Sequence, residues 1–220
     1  MDNSKWPAKA VLPIAMPGVK YVVSAILVTG VFFYFGLPTT GVLALLITLF
    51  VTWFFRDPER RVPEDKALLV SPADGKVIVI EPMARCEYLD EPCQKVSIFM
   101  NVFNVHVNRI PFSGIIEKVQ YHPGKFVNAS FDKASIHNER NALVIKTEDG
   151  RRYACVQIAG LIARRIVNCV ETHEHVQKGD RYGMIQFGSR LDLYLPQDFE
   201  VLVGLGDKTS AGSTIIGRMC

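Results

Sequence analysis

The chain has 220 residues, 49% hydrophobic and 21% charged, with 25 basic and 22 acidic side chains for a net charge of +3. That apolar content excludes a disordered chain, and the mixed composition excludes collagen-like and low-complexity classes. So small a charge, with no long Lys/Arg run, gives no footing for a nucleic-acid partner. The length suits one domain, or one domain with an appendage, and the five cysteines (86, 93, 155, 169 and 220), odd in number and without scaffold spacing, fit a reducing compartment.

Residues 21–55 form a run of 35 without a single charge. A signal peptide is a poor fit, because the charged head would be 20 residues long and Arg56-Asp57-Pro58-Glu59 stands where small residues should mark a cleavage site. Gly36, Pro38 and Gly41 divide the run into apolar segments at 21–37 and 42–55. As helices these would measure about 26 and 21 Å at 1.5 Å per residue, against a hydrocarbon core of about 30 Å. Lys5, Lys9 and Lys20 precede the run and Arg56, Arg60 and Arg61 follow it, while the middle loop is uncharged. The positive-inside rule then puts both flanks in the cytoplasm. The expectation is an N-terminal hydrophobic helical hairpin over 1–61 in the cytoplasmic membrane; the alternative is a helical pair buried against the rest of the chain.

From residue 62 the texture changes to short β-type runs, with strands expected over 77–80, 95–100, 105–110, 114–121, 142–146, 152–158, 164–170, 183–187, 191–195 and 200–205. Turn signals separate them, among them Ala73-Asp74-Gly75, Pro123-Gly124 and Glu148-Asp149-Gly150. Apart from a short stretch near 128–135 no amphipathic helical period stands out. The body, 62–220, is therefore expected to be mainly β, a barrel or sandwich. Gly179-Asp180 before Gly183-Met184-Ile185 is echoed by Gly206-Asp207 before Gly212-Ser213-Thr214-Ile215. With Ser71-Pro72-Ala73-Asp74-Gly75-Lys76-Val77, these turns look like the hairpins of lipoyl- and biotinyl-type β folds, although no lysine occupies a carrier tip.

Chemistry has few places to reside. Gly212-Ser213, eight residues from the last residue, reads either as a glycine hairpin turn or as a self-processing bond. In the second reading the absent Cβ of Gly212 unblocks its carbonyl and the Ser213 hydroxyl attacks it. Among the five histidines His106 is the leading candidate base. On a strand, Asn104, His106 and Asn108 would share one face, which is either a solvated face or a catalytic one. Asp74 either orients an imidazole or sits in an ordinary Asp-Gly turn, the commoner case, and His137 is the other attractive histidine, in a polar stretch of the kind more often found as a surface loop. Cys169, His173 and His175 invite a zinc reading, but the spacing fits no defined motif and no fourth ligand is evident.

Five segments then occur in order: Phe54-Phe55-Arg56-Asp57-Pro58-Glu59-Arg60; Ser71-Pro72-Ala73-Asp74-Gly75-Lys76-Val77; Phe99-Met100-Asn101-Val102-Phe103-Asn104-Val105-His106-Val107-Asn108-Arg109; Asn138-Glu139-Arg140; and Ala211-Gly212-Ser213-Thr214. Together they resemble the short bacterial and archaeal phosphatidylserine decarboxylases over nearly the whole chain. The resemblance implies a proenzyme that cuts itself between Gly212 and Ser213 into a β chain (1–212) and an α chain (213–220), the latter opening with a pyruvoyl group made from Ser213. It maps the maturation set onto Asp74, His106 and Ser213. It also implies decarboxylation of phosphatidylserine to phosphatidylethanolamine through a Schiff base on that covalent cofactor, with His106, then His137, as proton donor. A homo-oligomer bound to membrane phospholipid is implied as well. Longer members carry a second histidine three residues after the first. Here that position is Arg109, which becomes a candidate for the substrate's phosphate or carboxylate, with Asn104 and Asn108 beside it. The rival expectations are a non-catalytic membrane-anchored lipoyl-like module, a decarboxylase of an archaeal-type phosphoserine lipid, and a zinc hydrolase.

Overall fold

The computed structural model describes Trp6 and residues 13–124, 138–160, 165–186 and 189–219. It divides into two compact units, Lys9–Glu59 and the β-rich part from Arg60 onward.

The first unit is a pair of helices, α1 (Met16–Tyr34) and α2 (Pro38–Phe54). Each starts with a proline in its first turn, where the missing N–H costs nothing. That is why α1 begins before the uncharged run and takes Lys20 into its second turn. The helices turn apolar side chains such as Leu27, Val31, Leu43 and Leu49 outward, and the Thr29 and Thr48 hydroxyls meet between them at 2.9 Å. Where the chain enters and leaves, Ala15 N–H donates to Phe55 O (2.7 Å) and Asp57 N–H to Pro13 O (2.9 Å). The Arg56 guanidinium lies 4.2 Å from the Trp53 ring centroid and Tyr21 stacks on Phe55 at 5.4 Å. Helix α1 is long and apolar enough to cross a membrane; α2, at 17 residues, is shorter.

The second unit is mainly β. Its strands among the described residues are β1 (Leu68–Val70), β2 (Gly75–Met83), β3 (Cys93–Met100), β4 (Val107–Arg109), β5 (Gly114–His122), β6 (Arg140–Lys146), β7 (Arg152–Ala159), β8 (Arg165–Asn168), β9 (His175–Val176), β10 (Arg181–Gln186), β11 (Ser189–Pro196), β12 (Phe199–Val201), β13 (Lys208–Thr209) and β14 (Ile215–Met219). Eight of them form one curled antiparallel sheet, β13-β2-β3-β11-β7-β6-β5-β9, and two three-stranded sheets, β4-β10-β8 and β1-β14-β12, complete the unit. The main core lies on one face of the large sheet and includes Leu69, Val77, Ile98, Ile116, Leu143 and Leu193. A second cluster, with Tyr88, Leu89, Val156 and Tyr194, covers the other.

The expected strand over 105–110 shrinks to three residues. Asn101 Oδ1 accepts from Phe103 N–H, and Asn104 Oδ1 accepts from Asn101 N–H, both at 2.9 Å, so the two amides fold 101–104 into a turn instead of extending it. The strand over 200–205 likewise ends at Val201, where Gly204 and Gly206 begin a turn. Near 128–135 the short helical stretch lies outside the described residues.

The Gly-Asp echo is a structural repeat. Gly206 N–H donates to Val77 O while Val77 N–H donates to Asp207 O; Gly179 N–H donates to Ile110 O while Ile110 N–H donates to Asp180 O. In each turn the aspartate carboxylate accepts the N–H three residues before it, Gly204 at 2.8 Å and Gln177 at 2.7 Å, and the glycine takes a φ near +90°. Two matching turns each grip an apolar residue of another segment.

Because β11 is buried along its entire length, its polar positions are enclosed too. Arg190 forks onto Asp192 (2.5 and 3.0 Å) and also reaches Ser97 Oγ (3.0 Å), with Arg190 and Asp192 fully buried. Arg190→Leu strands the Asp192 carboxylate without its guanidinium, and a loss of about 3–5 kcal/mol is expected. Urea unfolding of the variant beside the unsubstituted protein measures it.

Candidate active site

The C-terminal turn is tied down residue by residue. Ser210 N–H donates to Thr214 Oγ1 (2.9 Å), Ala211 N–H to Asp74 Oδ1 (2.7 Å), Gly212 N–H to Ser71 O (2.8 Å), and both Ser213 and Thr214 N–H to Ser210 O (3.1 and 3.0 Å). Ser71 N–H returns a bond to Thr214 O at 2.7 Å. Gly212 has φ +75°, a conformation L side chains rarely adopt, and a Cβ there would lie 2.8 Å from Arg109 Cδ. Ser213 follows it, partly exposed. The result is a fixed, left-handed glycine directly ahead of an accessible hydroxyl.

Asp74 is placed by its own tight turn. Ser71 Oγ and Thr209 Oγ1 both donate to Ala73 O, at 2.7 and 2.9 Å, which turns the buried Asp74 carboxylate toward the 210–214 turn. Its second oxygen accepts from Arg60 Nη2 at 2.8 Å. Arg109 closes the other side: its N–H donates to Pro72 O and its Nη1 to Gly179 O, both at 3.0 Å, and its stem underlies Gly212.

His106 is fully buried and its Nδ1 lies 3.0 Å from Asn104 O. A carbonyl only accepts, so Nδ1 carries the hydrogen, and in the neutral tautomer this leaves the ring lone pair on Nε2. The solvated-face alternative fails for His106 and Asn108, both at 0% exposure. The shared strand face also fails for Asn104, which sits in the 101–104 turn. Asn108 Oδ1 accepts from Gln157 Nε2 (2.9 Å), whose Oε1 accepts from Asn141 Nδ2 (3.2 Å), a chain of amides through the sheet.

The structure thus gathers Asp74, Arg109, Gly212 and Ser213 and puts His106 three residues upstream of Arg109. His137 lies outside the described residues. Cys169, His173 and His175 do not converge: no group of three or more His, Cys, Asp or Glu able to hold a metal ion occurs among the described residues. Burial, with a smaller contribution from Glu174, pushes the Cys169 thiol up to about 11, away from the thiolate a metal needs. Sequence reasoning missed Arg60, Ser71 and Thr214 as site residues. All three lie in or beside the motif segments, but nothing in their spacing tells which backbone groups they meet.

The family model described as phosphatidylserine decarboxylase matches residues 47–217. Among curated proteins, the chain is similar to the phosphatidylserine decarboxylase proenzyme of Syntrophus aciditrophicus (50% identity; 93% of this chain and 96% of that one covered). It is also similar to those of Desulfotalea psychrophila (47%; 94% and 97%) and Geotalea daltonii (45%; 94% and 96%).

Proposed function

The chain belongs to the phosphatidylserine decarboxylase family and is a decarboxylase; from that premise we propose that it cuts itself at Gly212-Ser213 and converts phosphatidylserine to phosphatidylethanolamine with the pyruvoyl group that Ser213 becomes. The observation that carries this reading is the turn itself, a left-handed glycine clamped on both sides immediately before a partly exposed serine.

The steps follow from that arrangement. Ser213 Oγ loses its proton and bonds to the Gly212 carbonyl carbon, and the C–N bond breaks, leaving an ester and the free amine of Ser213. Loss of the Ser213 Cα proton expels the Gly212 carboxylate and leaves dehydroalanine, which takes up water, releases ammonia and becomes a ketone. Asp74 and His106 are the residues we assign to this maturation, with His106 Nε2 as the base that its tautomer permits. The site fits the product. Conversion removes only the Ser213 N–H bond to Ser210 O, while Thr214 N–H to Ser210 O and Ser71 N–H to Thr214 O still hold residue 213 from its C-terminal side.

Once formed, the pyruvoyl group supplies the electron sink that lets the headgroup carboxylate depart as CO2. His106 then donates a proton from Nε2 to the carbon left behind, with His137 the second candidate. Arg109, Asn104 and Asn108 are the residues we place toward the headgroup; Asn104 is the most accessible of the three, and the amide of Asn108 is committed to Gln157.

A diacyl lipid does not leave the bilayer cheaply, each buried methylene being worth about 0.8 kcal/mol, so the enzyme must work at the membrane. We place the helical pair in the cytoplasmic membrane, with Lys20, Arg56 and the Tyr21, Trp53 and Phe55 rings at the cytoplasmic end and the β unit on that face. The aromatic and cationic contacts at that end support this orientation.

Intact-mass spectrometry of the purified protein tests the reading. The expected spectrum has a fragment matching 213–220 and about 17 Da lighter than the serine-started peptide, an amine having become a ketone. A single 24.6 kDa chain that stays whole in phospholipid vesicles would overturn it in favour of a membrane-anchored binding module.

A further inference from the structure

Of the N–H groups from Ser210 to Thr214, three are bonded within the turn and one to the Ser71 carbonyl; only that of Ala211 goes to an outside side chain, Asp74. Arg60 takes the other Asp74 oxygen at 2.8 Å and so constrains the plane of the carboxylate, and the Arg60 Cβ itself lies 3.8 Å from where a Cβ on Gly212 would be. Arg60 therefore touches the cleavage turn and its anchor together. It closes the Phe54–Arg60 motif that the chemistry so far has left without a task.

We infer that Arg60 is a positioning residue for self-cleavage, acting through Asp74; this rests on the self-cutting reading above. Two physical effects combine. The guanidinium sets the plane of the carboxylate that pins Ala211 N–H, so the Gly212 carbonyl is presented to Ser213 Oγ in one orientation. The attack also builds negative charge on that carbonyl oxygen, and a lone Asp74 nearby would oppose it. Arg60 offsets the carboxylate charge and leaves its geometry intact.

Full-length protein is synthesised in a cell-free system with phospholipid vesicles, and cutting is followed by gel and mass. Wild type serves as the internal reference: if it does not cut, the self-cutting reading fails. Where it cuts, Arg60→Ala is expected to cut more slowly by about 10- to 100-fold, the worth of one charge-assisted hydrogen bond. Arg60→Lys should recover most of the rate and the uncharged Arg60→Gln little. The Arg60 side chain is 21% exposed, so solvent reaches its place, and guanidinium chloride at tens of millimolar should restore cutting in Arg60→Ala at least several-fold. Wild-type cutting by Arg60→Ala overturns the inference. So does slow cutting that neither lysine nor guanidinium ion restores, since that marks a side chain needed only for folding.

Discussion

Ser213→Ala is expected to remain one chain of full mass with decarboxylase activity at background. The substitution removes one oxygen and nothing else that the turn uses. The Ser213 N–H bond to Ser210 O is made by the backbone, and the bonds on either side belong to Gly212 and Thr214. With the side chain partly exposed, folding stability should change by no more than about 0.5 kcal/mol. Activity, in contrast, loses both the nucleophile that opens the peptide bond and the atoms that become the ketone. The loss is therefore total, not graded. Gel electrophoresis, intact mass and CO2 release from phosphatidylserine vesicles read it directly, and efficient cutting of this variant would sink the mechanism.

Asp74→Asn should be the next most damaging change and should act on maturation first. The amide keeps an oxygen for Ala211 N–H but turns an NH2 toward Arg60 Nη2, so two donors face each other across the 2.8 Å that now separates donor from acceptor. The side chain must flip or move away, and either response frees one anchor of the turn. It also leaves the Arg60 charge without its counterion. A slowing of cutting by about 100-fold or more is expected, the scale seen when a preorganised charge is lost from a reacting site. Since Arg60 is partly solvated, the accompanying loss of stability should stay near or below about 1 kcal/mol. The fraction cut over time, alongside the thermal midpoint, separates the two effects. Cutting at the wild-type rate would remove Asp74 from the machinery.

Much of this was legible in the residues. An uncharged run broken by glycine and proline is a helical pair under almost any folding, and only its start was displaced, by the proline that opens α1. The Gly-Asp turns were visible because a glycine at positive φ followed by an aspartate that accepts a nearby N–H is a local construction. What stayed hidden was non-local. Leu68-Leu69-Val70 is too short to register as a strand, and none was expected beyond 205; the two become strands by pairing with each other, β14 pairing with β12 as well. Asn101 and Asn104 hid the opposite way, two turn-forming amides inside a run that otherwise alternates like a strand. Arg60 gave no signal of its own, since nothing in a sequence says that residue 60 meets residue 74.

Strand β14 lies between β1 and β12, bonded along both edges, with Ile216 fully buried. In the uncut chain that strand is tethered, and unfolding and refolding are events of one molecule. A cut at Gly212-Ser213 turns residues 213–220 into a separate peptide that contributes the middle strand of a sheet. The assembled state is then a complex of two unequal partners, its stability tied to their concentration. Dilution after unfolding would then separate the two partners. Under the proposed cleavage, the product would be a structure made once, from its precursor, and not readily rebuilt from its parts.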